Sequence, residues 1–210
     1  VANLVCGFDV LGLCLDAPYD EMQVSIIPEK NVIIKSTDGY ELPTDPMKNT
    51  AGAPLVEMLQ ELDADFGFEV LIKKNIKPGS GIGSSAASAA GAVVAANFLL
   101  NEIFTKEQMV RFAMSGEKVA SGVKHADNVA PCIYGGITLI RSIFPLEIVP
   151  IPAPELWVTV VHPQIEVRTA DARQILKKQV LLKDAIKQWG NIAGLVAGFM
   201  KNDYGLIGRS

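Results

Sequence analysis

The stretch Pro78-Gly79-Ser80-Gly81-Ile82-Gly83-Ser84-Ser85-Ala86-Ala87-Ser88 carries three alternate glycines, and it decides the interpretation of this chain. Apolar residues alternate over 68–72 and predict a strand before it, and the small residues from Ser84 to Leu100 predict a long helix after it. Glycines let the backbone approach an anion closely, and the free N–H groups of a helix's first turn point at it. Ser84 and Ser85 add hydroxyls that suit a phosphate or a magnesium ion. The loop therefore predicts a phosphate-binding site.

Three other kinds of glycine-rich segment could account for this loop: a P-loop, a dinucleotide-binding loop and a tight structural turn. A P-loop requires a lysine directly after its last glycine, and Ser84 follows Gly83 here, so that class is excluded. The dinucleotide fingerprint G-x-G-x-x-G needs a third glycine where Ser84 stands, which makes a Rossmann site a weak match. A tight turn before a closely packed alanine-rich helix remains an alternative on composition alone.

Composition limits the classes of protein to which the chain can belong. Its 210 residues are 49% hydrophobic and 20% charged, which is typical of a well-packed globular protein of one large or two small domains. A formal net charge of −4 provides no general attraction to nucleic acid or to acidic membranes. The apolar stretch 86–100 is too short to span a bilayer. We therefore expect no nucleic-acid partner and no membrane partner.

Cysteine usage indicates the compartment. Cys6, Cys14 and Cys132 form no C-x-x-C pair and cannot all be disulfide-bonded within the chain. This pattern suits a reducing environment and argues against a structural zinc site. The sequence therefore predicts a cytoplasmic protein.

The first half of the chain reads as strands followed by helices. Alternating apolar residues over 22–26 and 32–34 predict two strands of an early antiparallel sheet, and apolar spacing over 55–62 predicts a short helix. Thr105 with Gln108 three residues later forms a capping box, which predicts that a second long helix begins there. The segment 129–141 contains Gly135-Gly136 and is predicted to be a loop that leads into a strand.

The second half is predicted to begin at a proline-rich connection. Four prolines within 145–154 remove backbone donors and stiffen the chain, which favours a domain boundary and divides the chain into domains 1–144 and 145–210. Beyond it, 156–161 predicts a buried strand, and 169–204 carries two helical patterns.

A second polar cluster lies between two apolar stretches. Glu117, His125, Asp127 and Asn128 fall within fifteen residues. Taken singly, Glu117 is more often part of a solvated helix end than a functional residue, and a lone histidine such as His125 is more often structural than catalytic. Their density predicts that these side chains form a polar site.

Three segments together resemble one protein family. The loop 78–88 resembles the P-x-x-x-G-[LI]-G-S-S-A-A-S signature of the GHMP small-molecule kinase superfamily, which includes galactokinases, homoserine kinases, mevalonate kinases and phosphomevalonate kinases. Its form ending in Ser88 is most similar to homoserine kinases. Residues 1–12 resemble the A-N-L-G-x-G-F-D-x-x-G block of that family, and residues 117–131 resemble its E-x-x-x-S-G-x-x-H-A-D-N-V-A-P segment, in which His125 is diagnostic. Residues 168–176 resemble its T-x-x-A-R-x-x-L element.

The resemblance implies a reaction and a set of roles. The reaction is transfer of the γ-phosphoryl group of ATP to the side-chain hydroxyl of homoserine, a step of threonine biosynthesis, with Mg²⁺ as the metal. Glu117 and either Ser84 or Ser85 would bind the metal, and the whole loop from Pro78 to Ser88 would hold the nucleotide. The remaining implied residues are Asn3, Asp9, His125 and Arg173 for the substrate, with His125, Asp127 and Asn128 as catalytic candidates. Whether Asp127 or Asn128 meets the acceptor hydroxyl stays open.

The resemblance also implies the fold and the extent of the protein. The fold would be α+β in two layers, with a domain like ribosomal protein S5 domain 2 followed by an incomplete ferredoxin-like domain. Both ends of the chain would be truncated, because the family's carboxy-terminal glycine-rich block is not found here. A homodimer is the implied assembly. The alternative functions are a sibling kinase that acts on a mevalonate-type or sugar-type alcohol, and a non-catalytic binding protein with the same fold.

Overall fold

Helices and strands alternate along the computed structural model, which describes residues 1–38, 40–161, 175–177 and 179–210. A single turn of 3-10 helix, Pro46–Lys48, precedes the first α-helix. In chain order the elements are β1 (Ala2–Asn3), β2 (Gly7–Leu13), β3 (Glu21–Ile27), β4 (Val32–Asp38), α1 (Gly52–Glu61), β5 (Gly67–Lys73), α2 (Ser84–Leu99), α3 (Lys106–Ser121), α4 (Val129–Tyr134), β6 (Ile137–Ile143), β7 (Leu146–Ile151), α5 (Leu182–Lys201) and α6 (Tyr204–Arg209).

The first sheet has the strand order β3-β5-β4. Strand β5 pairs antiparallel with β3 and parallel with β4, so that Val70 lies opposite Val24 on one side and Ile34 on the other. The prediction that the two early strands belong to an antiparallel sheet is therefore wrong for β4. Strand β5 takes the central position because Phe68, Val70 and Ile72 are fully buried, whereas an edge position would leave part of this apolar surface in water.

The second sheet has the order β1-β2-β6-β7 and is antiparallel throughout. Strand β2 pairs with β6, more than 120 residues later in the chain, with Leu11 opposite Leu139. A Cβ atom on Gly12 would lie only 1.7 Å from the carbonyl oxygen of Asp127. The absence of a side chain at Gly12 thus lets β2 lie directly against the segment that leads into α4.

Two hydrophobic cores hold these layers together. The larger core lies between the β3-β5-β4 sheet and helices α1 to α4, and includes Leu55, Phe68, Val93 and Phe112. The smaller core is formed where α5 packs on the second sheet, with Leu11, Ile151, Leu195 and Phe199 buried together. Mixed helices and sheets in two layers confirm the predicted α+β class.

The structure corrects two predictions near the proline-rich run. Residues 129–134 form helix α4, where a loop was predicted before β6. Residues 146–151 form β7, where a stiff connection was predicted, and Pro150 lies opposite Thr138 of β6. A proline is tolerated there because β7 is an edge strand, whose outer N–H groups need no partner. The division at 144/145 stays a proposal, and the pairing of β7 with β6 favours a boundary after Ile151.

The segment predicted as a buried strand over 156–161 is not a strand. Trp157 is 94% exposed and Val161 is 83% exposed. An alternating apolar pattern forms a strand only when a neighbouring strand accepts its backbone hydrogen bonds, and no strand of the described residues pairs with this segment. Of the two helical patterns predicted over 169–204, α5 accounts for the second, and residues 162–174 and 178 lie outside the described residues.

Helices α2 and α3 approach each other unusually closely. The buried face of α2 is predominantly alanine and serine. A Cβ atom on Gly116 of α3 would lie 2.6 Å from the Cβ of Ala89 and 2.3 Å from the carbonyl oxygen of Thr50. The predicted capping box begins α3, since Gln108 N–H donates to Thr105 Oγ1 and Thr105 N–H donates to Gln108 Oε1. Within the part of the chain that the structure describes, no helix is both long and apolar enough to cross a membrane.

We predict opposite effects for the same substitution in two helices. Gly116→Ala should lower the free energy of unfolding by about 1–3 kcal/mol, because the added methyl overlaps Ala89 and Thr50. Gly190→Ala in α5 should raise it by up to about 1 kcal/mol, because that position is open and alanine is the better helix former. Urea denaturation of the two variants measures both changes, and equal effects would contradict the close approach of α2 and α3.

Candidate active site

Residues from four separate parts of the sequence, 2–9, 41–50, 74–88 and 117–128, line one open cavity of about 720 Å³. Arg173, predicted to bind substrate, lies outside the described residues. The predicted site residues that line the cavity are Asn3, Asp9, Pro78, Gly79, Gly81, Gly83, Ser84, Ser85, Ser88, Glu117, His125, Asp127 and Asn128. The fold thus brings together the amino-terminal turn, the glycine loop and the polar cluster after α3.

The glycine loop ends at the amino terminus of α2. Gly79, Gly81 and Gly83 have φ angles of 74°, 80° and 84°, a backbone region that other residues rarely adopt. Gly83 is the N-cap residue of α2, and no side chain within the described residues caps this terminus. The N–H groups of the first helical turn and the positive end of the helix dipole are therefore available to an anion.

Four residues of the predicted nucleotide loop have side chains that do not line this cavity, so any contact of theirs with nucleotide would come from the backbone. Ala86 is fully buried in the larger core, and Ile82 and Ala87 line a different cavity. The Ser80 hydroxyl is buried, and no partner for it is found among the described residues. Since α2 turns 100° per residue, consecutive side chains of its first turn must face different surroundings.

The two candidate metal-binding serines have different partners. The Ser84 hydroxyl donates to the carbonyl oxygen of Ile76 at 2.9 Å and fastens the start of α2 to the end of the preceding segment. The Ser85 hydroxyl donates to Glu117 Oε1 at 2.6 Å. Ser85 therefore presents its oxygen beside a carboxylate, whereas the hydroxyl of Ser84 is engaged in holding the loop.

Glu117 is a buried carboxylate on α3. The residue is only 5% exposed, and within the described residues no basic side chain forms an ion pair with it. Burial raises the pKa of Glu117, the hydrogen bond from Ser85 opposes that rise, and the nearby carboxylate of Asp127 adds to it. The position therefore favours a neutral carboxyl until a cation arrives.

A second carboxylate lies just before α4. Asp127 is 3% exposed, and its pKa is raised by burial and by the charge of Asp9, while His125 lowers it. Asn128, the next residue, caps α4, and its Oδ1 lies 3.1 Å from the position that a Cβ on Gly83 would occupy. Asn128 is thus the residue of this pair that lies directly against the glycine loop.

The amino-terminal turn completes the wall of the cavity. Asn3 Oδ1 accepts a hydrogen bond from the Asp9 N–H at 3.1 Å, and Asp9 Oδ1 lies 4.0 Å from His125 Nδ1. Asn3 and Asp9 both have positive φ angles, 76° and 60°, which orient this turn. A carboxylate, an imidazole and an amide therefore line the same cavity as the phosphate loop.

Sequence reasoning missed the buried pair of Lys74 and Asp20. Their side chains are 3% and 5% exposed, and Lys74 Nζ also donates to the Ser84 carbonyl at 2.7 Å and to Ser88 Oγ at 2.8 Å. Asp20 Oδ1 in turn accepts hydrogen bonds from the N–H groups of Asn75 and Ile76, both at 2.8 Å. The pair therefore fixes both ends of the glycine loop. The buried alternation 68, 70, 72 continues to residue 74, and this was the signal that could have identified the lysine.

Comparison with known proteins identifies the family. A homoserine kinase from Chloroherpeton thalassium is 48% identical over the whole chain, which spans 70% of that relative's length. The chain belongs to the homoserine kinase family. A second homoserine kinase, from Chlorobium phaeobacteroides, is 44% identical with the same coverage, and the model described as GHMP kinases N terminal domain matches residues 49–136.

The fold agrees with this assignment. The crystal structure of a homoserine kinase from Cytophaga hutchinsonii matches with a TM-score of 0.89 and 45% identity, and the match covers all of this chain and 67% of that one. The family and the fold predicted from the sequence are thus confirmed, and a kinase of this family uses ATP and a small-molecule substrate. Among the described residues, no group of three or more His, Cys, Asp or Glu could hold a metal.

For this homoserine kinase we predict that neighbouring lysines differ sharply in their importance for stability. Lys74→Met should lower the free energy of unfolding by about 3–5 kcal/mol, because it leaves the buried Asp20 carboxylate without its cation. Lys73→Met removes an exposed pair with Glu21 and should leave the midpoint of urea denaturation nearly unchanged. Similar losses in the two variants would show that the buried pair does not hold the loop.

We also predict that Glu117 makes stability depend on pH. The folded pKa lies above the unfolded value, so the contribution of this group is fully present below the unfolded pKa and is lost as pH rises through the folded pKa. Glu117→Gln keeps an acceptor for Ser85 but removes the buried charge. Without nucleotide, the variant should therefore be more stable than the parent at neutral pH, and its stability should fall less as pH rises from about 4 to about 8.

Thermal unfolding across this pH range measures the effect. The exposed Glu102→Gln is the matched control, which should leave the curve unchanged. If the stability of the parent protein changed with pH in the same way as that of Glu117→Gln, the claim that Glu117 buries a charge would be wrong.

Proposed function

We propose that this chain transfers the γ-phosphoryl group of ATP to the side-chain hydroxyl of L-homoserine and so forms O-phospho-L-homoserine, a step of threonine biosynthesis. One observation carries the proposal: an uncapped helix N-terminus and the Ser85–Glu117 pair share one cavity with Asp9, His125 and Asn128. The homoserine kinases to which the chain is similar support the choice of substrate.

The triphosphate of ATP lies along the glycine loop in this proposal. Positive φ angles at Gly79, Gly81 and Gly83 open the backbone of the loop, and the first turn of α2 presents its N–H groups to the same space. Lys74 is already engaged by Asp20, Ser84 and Ser88, so its role is to hold the loop in shape. Phosphate binding therefore depends mainly on backbone donors and on the helix dipole.

The residues of the site can bind a magnesium ion if the phosphates of ATP supply the remaining ligands. Mg²⁺ is usually held by one or two carboxylates together with substrate phosphates and water, and Glu117 with Ser85 offers such a partial set. A buried carboxylate beside a phosphate loop is repulsive to ATP unless a cation lies between the two groups. We assign the metal-binding hydroxyl to Ser85, because that of Ser84 donates to Ile76. When bound, the ion neutralises charge that develops on the transferred group.

The amino-acid substrate is assigned to the wall opposite the loop. Asp9 suits the ammonium group of homoserine, and Asn3 holds Asp9 by accepting its backbone N–H. His125 lies at the same wall, 4.0 Å from Asp9, and Arg173 is the proposed partner of the substrate carboxylate. A planar guanidinium can bind a carboxylate through two parallel hydrogen bonds.

The acceptor hydroxyl is assigned to Asn128. Its side chain lies against Gly83, where the γ-phosphoryl group would approach, whereas Asp127 is almost fully buried beside it. Phosphoryl transfer depends mainly on positioning and on charge neutralisation, so an amide that orients the hydroxyl is sufficient and a strong base is not required.

Two further assignments belong to the proposal. Three free cysteines support a cytoplasmic location, where thiols stay reduced. A homodimer is proposed from the family resemblance.

The substrate is tested by ADP release from the purified protein with magnesium-ATP and a panel of homoserine, mevalonate, galactose, serine and threonine. We expect turnover only with homoserine, and we expect His125→Ala to raise the KM for homoserine by about tenfold or more while the KM for ATP changes little. Turnover of another alcohol would replace homoserine kinase with a sibling activity. Binding of ATP without turnover of any alcohol would favour a non-catalytic protein.

A further inference from the structure

Two cysteines that the proposed reaction does not use lie together behind the glycine loop. Cys14 follows the end of β2, and Cys132 lies in α4. Both line a second cavity of about 710 Å³, which Ile82 and Gly83 of the glycine loop also line. A small molecule in this cavity can therefore reach both sulfur atoms.

The two thiols are chemically unequal partners. Cys14 Sγ donates to the Leu15 carbonyl at 3.7 Å, and Cys132 Sγ donates to the Asn128 carbonyl at 3.3 Å. The side chain of Cys132 lies within reach of Cys14 and lowers the pKa of Cys14 to about 6, against the effect of its burial. The same contact and burial raise the pKa of Cys132. The lowered pKa of Cys14 therefore suits it to attack, and the position of Cys132 beside it makes Cys132 the thiol that can resolve the product.

The third cysteine provides an internal comparison. Cys6 is buried in the smaller core, and burial raises its pKa. It lines neither of the two large cavities. A reagent that oxidises thiols by reactivity and access should therefore leave Cys6 reduced.

We propose that Cys14 and Cys132 form a dithiol modification site, at which small-molecule disulfides generate a reversible Cys14–Cys132 disulfide that weakens nucleotide binding. The Cys14 thiolate attacks one sulfur of the small disulfide, forms a mixed disulfide and releases one thiolate. The Cys132 thiol then loses its proton to solvent and attacks the Cys14 sulfur, which releases the second thiolate. The protein loses two electrons, and the small disulfide gains them to become two thiols.

The link to nucleotide binding passes through Asn128. Cys132 lies one helical turn after Asn128 and donates its S–H to the Asn128 carbonyl, while the Asn128 side chain lies against Gly83, the N-cap of α2. A disulfide removes that S–H and draws the two sulfur atoms to about 2.05 Å, which pulls the first turn of α4 toward the end of β2. Asn128 and the phosphate loop then change position together. This step rests on the proposed function of the loop.

The test treats the purified protein with bis(2-hydroxyethyl) disulfide near neutral pH. Intact mass and peptide mapping should show one internal disulfide between Cys14 and Cys132 with Cys6 reduced, and dithiothreitol should reverse it. By calorimetry, the oxidised protein should bind magnesium-ADP about tenfold more weakly than the reduced protein, because a small displacement of the site strongly affects its ligand. Cys14→Ser and Cys132→Ser should keep the affinity of the reduced protein under the same treatment.

The remaining outcomes would contradict the dithiol site, the effect on nucleotide binding, or the proposed function. A disulfide that involves Cys6, stable mixed disulfides on Cys14, or no reaction would overturn the dithiol site. A mapped Cys14–Cys132 bond with unchanged magnesium-ADP affinity would overturn the switch. Failure of the reduced protein to bind magnesium-ADP would count against the proposed function and against the switch, and peptide mapping would still decide the dithiol site by itself.

Discussion

The close approach of helices α2 and α3 is the constraint on which the site depends. The small residues of α2, together with Gly116 on α3, let the two backbones approach to a separation at which even a methyl group at Gly116 would overlap Ala89. This approach brings the first turn of α2 within reach of α3, so that Ser85 donates to Glu117 at 2.6 Å. The alanine-rich composition after the glycine loop therefore has a direct chemical consequence, since it places a carboxylate beside a phosphate-binding helix terminus.

That placement makes the burial of charge at this site electrostatically unfavourable. Glu117 and Asp127 are both buried, and burial raises the pKa of each; the charge of Asp127 adds to the rise at Glu117, and the charge of Asp9 adds to the rise at Asp127. The nearby buried cation, Lys74, already neutralises Asp20 and therefore shapes the loop without compensating Glu117. A divalent cation that arrives with the ATP phosphates offsets the free-energy cost of burying the charged Glu117 carboxylate. This explains how a site rich in carboxylates can bind a polyanion.

Much of this arrangement could be predicted from the sequence, because local patterns determine it. The alternation at Phe68, Val70 and Ile72 predicted β5, and Thr105 with Gln108 predicted the start of α3. Long-range facts were harder to obtain. The parallel pairing of β4 with β5 depends on which strand is most buried, and the strand predicted over 156–161 failed because no described strand pairs with it. The buried position of Lys74 was not predicted, because a charged side chain is normally expected in solvent. The alternation of buried residues at 68, 70 and 72 nevertheless places residue 74 on the buried side of the strand.

The central claim is that a cation held by Glu117 carries the nucleotide, and proton release on binding tests it most directly. Calorimetry of magnesium-ADP binding in buffers of different ionisation enthalpy gives the number of protons released at each pH. Because the pKa of Glu117 without ligand is raised, we expect the parent protein to release protons on binding at pH values above the ordinary pKa of a glutamate, and we expect Glu117→Gln to release fewer while binding more weakly. Equal proton release and equal affinity in the two proteins would contradict the claim.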